Sequence, residues 1–192
     1  MGQRLNTLKA LREVALEHAS VQQPDLACMA RELERVVRQN QVALMTRLGR
    51  WCRRDRVLEH RLLSRRNTSG LSMTVVAWPA NHRAPAYDQD GRWELQLTLV
   101  GTFEVQTWSR DPASGGLREL RHDWLGPGDS AWFDREQSLV HRCRNLSQHE
   151  TALTLHLYGG NLGHCFAGDR AQSADTRKAL PRQRALAGCL TI

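Results

Sequence analysis

The sequence PAYDQDGRWELQLTLVG occupies residues 85–101 and decides the fold together with three short pieces further along the chain. Those pieces are GPGD at 126–129, HRCRN at 141–145 and TLHLY at 154–158. Polar and apolar residues alternate from Glu94 to Leu99, as they do in a β-strand whose two faces have different surroundings. We expect these pieces to lie at the two ends of one small barrel and to face a shared pocket.

The same alternation recurs along the chain between turns rich in glycine and proline, such as DPASGG at 111–116. Short strands at this spacing are typical of a barrel or a double-sheet jelly roll. The fold class predicted is therefore mainly β, a jelly-roll barrel of the double-stranded β-helix type with α-helices before it. The predicted strands are 71–77, 93–99, 101–108, 117–124, 130–133, 139–144 and 152–158.

Helices are predicted in the first quarter of the chain. Apolar residues recur at helical spacing in 4–18 and again after Pro24-Asp25, and a third helix is predicted in 42–51. The expected organisation is a single structural domain. It has an N-terminal helical cap at 1–65, a β-barrel at 66–168 and a basic C-terminal tail at 169–192.

The composition narrows the function classes. The net charge of +7 comes almost entirely from arginine, and the arginines are scattered rather than gathered in one basic block with aromatics, which argues against nucleic-acid binding. No apolar run has the length of a membrane span, and no secretory signal pattern opens the sequence. We expect a cytoplasmic protein without membrane contact. The five cysteines contain no CxxC pair, so neither a structural zinc site nor a disulfide framework is indicated.

Two motifs carry a family resemblance. The spacing Tyr87-x-Gln89-x4-Glu94-x6-Gly101, followed by His141-x3-Asn145, resembles the two motifs of the cupin superfamily. Within that superfamily, the segments HRLL at 60–63, WPANHRAPAYDQDGRW at 78–93 and VHRCRNLSQHETALTLHLYGGNLGHC at 140–165 are similar to the cysteine dioxygenase family of thiol dioxygenases. The resemblance extends over residues 58–168.

This resemblance implies roles for individual residues. His141 matches the third iron ligand of the family. His156 and Tyr158 match two members of a Ser-His-Tyr triad beside the metal, and Thr154 stands where the serine would be. The resemblance also implies substrate contacts: Arg61 falls at the position of an arginine that binds the substrate carboxylate, and Cys165 matches a cysteine at the edge of the pocket.

The chain departs from the family at the iron site, because Tyr87 and Gln89 stand where two histidine ligands are expected. A phenol and an amide are poor ligands for ferrous iron, so we expect the affinity for iron to collapse. Glu94 offers a carboxylate instead, and His141, Glu94 and Gln89 could hold iron or another divalent ion as a different set. Alternatively, Glu94 pairs with an arginine inside a barrel without metal.

Three functions follow as hypotheses. The first is a cupin that has lost the three-histidine iron site and binds a small carboxylate or thiol ligand, with Tyr87 in the substrate pocket and Arg61 clamping the acid. The second is an active metal-dependent oxidoreductase that uses His141, Glu94 and Gln89. The third is a non-catalytic interaction or regulatory protein in which the barrel is a scaffold.

Overall fold

The computed structural model describes residues 7–19, 24–49, 58–66, 70–89, 91–135 and 139–159. It has three helices and nine strands in that part of the chain. The helices are α1 (Thr7–His18), α2 (Leu26–Gln39) and α3 (Gln41–Leu48). The strands are β1 (Glu59–Arg66), β2 (Leu71–Trp78), β3 (Tyr87–Asp88), β4 (Glu94–Val100), β5 (Phe103–Arg110), β6 (Leu117–Leu125), β7 (Ser130–Phe133), β8 (Leu139–Asn145) and β9 (Ala152–Gly159).

The strands form two antiparallel sheets. One sheet has the order β1-β2-β9-β4-β7 and the other the order β3-β8-β5-β6. Strands far apart in sequence, such as β2 and β9, are neighbours, as the long connections of a jelly roll require. The chain is a mainly β protein, a double-sheet jelly roll preceded by helices, so the predicted fold class is confirmed.

The helices cover the outer face of the five-stranded sheet. Helix α2 begins at the N-cap Asp25, whose side chain accepts a hydrogen bond from the backbone N–H of Cys28 at 2.8 Å. Its buried residues recur at helical spacing and pack on the sheet. They are Leu26, Met29, Ala30, Leu33, Val36 and Val37. No helix among the described residues is long and apolar enough to cross a membrane.

Strand β2 shows why the sandwich has two separate apolar layers. All eight of its residues are buried. Met73 and Val75 pack in the layer beneath the helices, whereas Val76 and Trp78 pack between the two sheets. Successive side chains of a strand point to opposite faces, and here both faces are covered. The space between the sheets is therefore closed off from the helices by β2, β4 and β9.

Two features differ from the predicted organisation. Strand β1 lies within residues 59–66, in the range predicted as helical cap, and pairs antiparallel with β2. Its register shifts between Leu62 and Ser64, and this irregularity interrupts the alternation that would reveal a strand in the sequence. The third predicted helix covers 42–51; α3 ends at Leu48, and residues 50 and 51 lie outside the described residues. The predicted tail at 169–192 lies outside the described residues.

Candidate binding site inside the β-sandwich

The site lies between the two sheets, and the strand register places its residues. Tyr87 on β3 pairs with His141 on β8 in the four-stranded sheet. In the opposite sheet, Glu94 on β4 pairs with Tyr158 on β9, and Gln96 pairs with His156. Because residues two apart share a face of a strand, Glu94 and Gln96 both point into the interior.

Glu94 is the centre of the hydrogen-bond network. Its side chain is fully buried. The oxygen Oε1 accepts from Nδ1 of His156 at 3.0 Å, from Nε2 of Gln96 at 2.9 Å and from the hydroxyl of Tyr87 at 3.3 Å. The other oxygen, Oε2, is buried and has no hydrogen-bond partner. Oε1 therefore has three hydrogen-bond donors, whereas Oε2 has none.

His141 lies beside that second oxygen. Its Nε2 is 3.5 Å from Oε2 of Glu94 and 2.8 Å from Nε2 of Gln96, and its Nδ1 is 2.5 Å from the Gln89 amide. The ring stacks on Phe133, with centroids 4.0 Å apart and planes 9° from parallel. A neutral imidazole has one donor and one acceptor nitrogen. With Nε2 accepting from Gln96, Nδ1 carries the hydrogen, and a good bond requires the Gln89 amide oxygen to face it.

A chain of hydrogen bonds fixes the tautomer of His156. The indole Nε1 of Trp78, which only donates, lies 2.7 Å from the Thr154 hydroxyl, and that hydroxyl lies 2.8 Å from Nε2 of His156. The oxygen Oε1 of Glu94 only accepts, so Nδ1 of His156 carries a hydrogen and donates it there. Nε2 of the neutral ring is then the acceptor, so the Thr154 hydroxyl donates to it while accepting from Trp78. The Tyr158 hydroxyl lies 3.2 Å from Nδ1 of His156.

The charges of the network follow from burial and from these donors. Burial raises the pKa of Glu94, but the charge that His141 gains when it is protonated in acid, and the hydrogen bonds from His156 and Gln96, lower it more, so this pKa lies below its ordinary value. Burial lowers the pKa of His141 to about 4, against the opposing attraction of Glu94. His141 is therefore neutral near pH 7, and the hydrogen bonds from His156 and Gln96 keep Glu94 ionised there.

The structure brings most of the predicted site residues together. Seven of them converge in this network: Tyr87, Gln89, Glu94, His141, Thr154, His156 and Tyr158. The alternative in which Glu94 pairs with an arginine is wrong, because its partners among the described residues are two histidines, a glutamine and a tyrosine. Cys165 lies outside the described residues.

Arg61 is not part of this network. It pairs with Val75, which packs beneath the helices, whereas its neighbour His60 pairs with Val76, which packs between the sheets. The alternation of β1 thus directs His60 inward and places Arg61 on the opposite face. His60 is buried, and neither of its ring nitrogens has a hydrogen-bond partner.

Sequence reasoning missed two residues of the site. Gln96 bridges Glu94 and His141 and accepts from Sγ of Cys143 at 3.0 Å, and its place two residues after Glu94 on a predicted strand was the available signal. His60 carried no such signal, since its strand was not predicted. Further buried hydroxyls without a hydrogen-bond partner occupy inward positions on the surrounding strands. They belong to Ser72, Thr74, Thr98 and Thr107.

The residues do not fit a three-histidine iron site. Gln89 and Glu94 lie at opposite nitrogens of the His141 ring, so these three predicted ligands do not surround one point. Nδ1 of His156 is hydrogen-bonded to Glu94. Within the described part of the chain, the interior contains no three His, Cys, Asp or Glu ligand atoms that all lie within 4.8 Å of one another.

No model of a protein family matches the chain, and no curated protein matches it. Three similar solved structures follow. The cupin domain of Cnp3 from Schizosaccharomyces pombe has a TM-score of 0.43 and 12% identity, over 54% of this chain and 61% of that chain. A cupin superfamily protein from Desulfitobacterium hafniense has a TM-score of 0.42 and 12% identity, over 56% of this chain and 82% of that chain. Oxalate oxidase in complex with glycolate has a TM-score of 0.45 and 17% identity, over 54% of this chain and 51% of that chain.

All three TM-scores are below 0.5, and the sequence identities are 12–17%. The matched part spans less than two thirds of the Cnp3 domain and about half of the oxalate oxidase chain. Two of the three proteins are named as cupins, and none of the three is named as a thiol dioxygenase.

Proposed function

We propose that this protein is a ligand-binding cupin whose interior holds a small molecule through a hydrogen-bond donor directed at Oε2 of Glu94. The observation that supports the proposal most directly is that this oxygen belongs to a fully buried carboxylate and has no partner. Leaving a buried polar atom unpaired costs about 1–3 kcal/mol, and more for a charged group. A bound ammonium or hydroxyl group would supply the missing donor.

The charge of the interior favours an ammonium group over a carboxylate. Glu94 is ionised there, and neither arginine nor lysine is among the buried residues of the described chain. A ligand carboxylate would meet the negative charge of Glu94 without a cation to offset it. Arg61, which was expected to bind a ligand carboxylate, lies on the other face of β1. A thiol ligand remains compatible with the site if the same molecule carries an ammonium group.

The polar residues around Glu94 give the site its orientation. Trp78 and Thr154 form a hydrogen-bond chain that ends at Nε2 of His156, and Nδ1 of His156 holds Oε1 in place. Gln96 ties the carboxylate to His141 on the opposite sheet. Because Oε1 already accepts from three donors, Oε2 is the oxygen available to a ligand. The buried hydroxyls on neighbouring strands offer further hydrogen bonds to a polar molecule.

Four small molecules separate the possible recognition groups. Cysteamine carries an ammonium and a thiol, ethanolamine an ammonium and a hydroxyl, 3-mercaptopropionate a carboxylate and a thiol, and L-cysteine all three functional groups of the thiol amino acids. Isothermal titration calorimetry at pH 7 should detect binding of the three ammonium compounds and none of 3-mercaptopropionate. A preference for cysteamine over ethanolamine would show that the site also selects the thiol.

Variants test whether the ammonium compounds bind at Glu94. Glu94→Gln keeps the shape of the side chain but removes its charge, so we expect the heat of ammonium binding to disappear. The matched control is Glu104→Gln, since Glu104 lies on the outer face of β5 and bonds to His122. Arg61→Ala should bind as the unmodified protein does. Binding of 3-mercaptopropionate that Arg61→Ala abolishes would contradict the proposal, as would the failure of all three ammonium compounds to bind.

The alternative hypothesis, a metal-dependent oxidoreductase, predicts that the purified protein contains a metal. Its best support is the 3.5 Å separation of Oε2 of Glu94 from Nε2 of His141. It requires a stoichiometric metal in elemental analysis, lost in both Glu94→Ala and His141→Ala. That outcome would replace the proposed role of Oε2 with metal coordination.

A further inference from the structure

We propose that this protein binds a zinc ion on its surface, between helices α1 and α2, through His18, Cys28 and Glu32. The ligand atoms of these three side chains all lie within 4.8 Å of one another. Nε2 of His18 is 3.3 Å from Oε2 of Glu32. The cluster is separate from the interior site, since it stands on the helical layer and uses none of the residues around Glu94.

The three ligands suit zinc. An imidazole nitrogen, a thiolate sulfur and a carboxylate oxygen are the donors that this ion binds, at about 2.0–2.3 Å and in tetrahedral geometry. A nitrogen and an oxygen ligand of a tetrahedral zinc ion are about 3.3–3.5 Å apart at these bond lengths. The observed 3.3 Å between His18 and Glu32 already matches that separation. A water molecule would complete the set as the fourth ligand.

The two helices present the ligands by their spacing. Cys28 and Glu32 are four residues apart on α2, so they lie on one face of the helix, one turn from each other. His18 is the last residue of α1. Buried residues of both helices, including Leu11, Ala15 and Met29, belong to one apolar cluster and hold the helices together. The site is thus partly assembled before any ion arrives.

The site is open enough for an ion to enter. The side chain of His18 is 16% exposed and that of Glu32 is 39% exposed, while Cys28 is half-buried. Binding converts the Cys28 thiol to a thiolate and releases its proton to solvent. This thiolate would lie in the first turn of α2, where the helix dipole favours negative charge. A bound ion would join the end of α1 to the beginning of α2.

Cobalt titration tests the proposal directly. Untagged protein, freed of metal by a chelator and then desalted, is titrated with Co²⁺, and a sulfur-to-cobalt charge-transfer band in the near ultraviolet reports a bound thiolate. We expect the band to saturate at one equivalent and to disappear when Zn²⁺ displaces the cobalt. Zn²⁺ should also raise the melting temperature, because it binds the folded chain.

Variants assign the ligands. Cys28→Ser should abolish the band, and His18→Ala and Glu32→Gln should each weaken Zn²⁺ binding by at least about tenfold. Two controls should bind Zn²⁺ as the unmodified protein does: Glu13→Gln, on an exposed part of α1, and Glu94→Gln, in the interior. The second control separates this site from the proposed function.

Three results would overturn the zinc site. One is the absence of a charge-transfer band, which would leave the contact of His18 with Glu32 as an ion pair alone. The second is a band that persists in Cys28→Ser, which would assign it to another cysteine. The third is loss of zinc binding in Glu94→Gln with full retention in His18→Ala, which would place the ion inside the sandwich.

Discussion

His60 makes the stability of this protein sensitive to mild acid. Its imidazole is only 2% exposed, and both nitrogens lack hydrogen-bond partners. Burial, with smaller contributions from the positive potentials of His156 and His82, lowers its pKa from 6.5 to about 3. In the unfolded chain the ring takes up a proton near pH 6.5, whereas in the folded protein it resists protonation down to about pH 3. Stability that is present above pH 6.5 is therefore lost progressively as the pH falls below that value.

The size of this effect follows from the pKa values. At pH 5 the unfolded His60 is mostly protonated and the folded His60 is not, which corresponds to a loss of about 2 kcal/mol relative to pH 8. His141, with its pKa lowered to about 4, contributes a further loss of about 2 kcal/mol over the same range. Replacing His60 by leucine removes one of the two contributions. It also removes two unpaired buried nitrogens, so the variant should be more stable by about 1–3 kcal/mol even at pH 8.

Urea unfolding followed by tryptophan fluorescence at pH 8, 7, 6 and 5 measures these changes. Between pH 8 and pH 5, the free energy of unfolding should decrease in both proteins. We expect the decrease in His60→Leu to be about 2 kcal/mol smaller than in the unmodified protein. The control is His149→Leu, because His149 is exposed. It should keep the pH dependence of the unmodified protein. If His60→Leu loses as much stability in acid as the unmodified protein, the burial of a neutral, unpaired His60 is refuted.

Two other predictions test the interior network and the packing of the sheets. Thr154→Val should destabilise the protein by about 2 kcal/mol in the same unfolding assay, because Trp78 and His156 each lose a buried partner, whereas Thr154→Ser, which keeps the hydroxyl, should cost less than about 1 kcal/mol. Gly101→Ala should lower the free energy of unfolding by about 1–3 kcal/mol more than Gly115→Ala does. Both glycines have positive φ, of 87° and 70°. A methyl group at Gly101 would lie 2.5 Å from a side-chain carbon on β9, whereas a methyl group at Gly115 would meet nothing within 4 Å. Equal costs for either pair would contradict the contacts described.

The strands were predictable because their signal is local. Alternation in 71–77, 130–133 and 152–158 reproduced β2, β7 and β9 to within a residue or so, and the turns between them are marked by glycine and proline. Strand β1 was missed since it lies at the edge of its sheet and carries a register shift, so its sequence needs no regular apolar face. Strand β3 is two residues long, too short for any periodicity.

The site was predictable in its membership but not in its contacts. Motif spacing brought together Tyr87, Glu94 and His141, and alternation along β4 would have added Gln96. The direction of Arg61 depended on the register of an unpredicted strand, so the carboxylate clamp was placed on the wrong face. In the same way, the sequence could not show that Gln89 contacts the far nitrogen of His141, because the orientation of a ring is set by packing and not by spacing.

The order of polar and apolar residues along this chain was enough to determine a double β-sheet preceded by amphipathic helices, because each strand or helix needs only its own residues to set which side is buried. The tertiary structure decided everything that depends on two elements meeting: which oxygen of Glu94 lacks a donor, that His60 rather than Arg61 faces inward, and that His18 reaches Cys28 and Glu32. Those relations join residues far apart in the sequence. They are fixed by register and helix packing, which have no local signature.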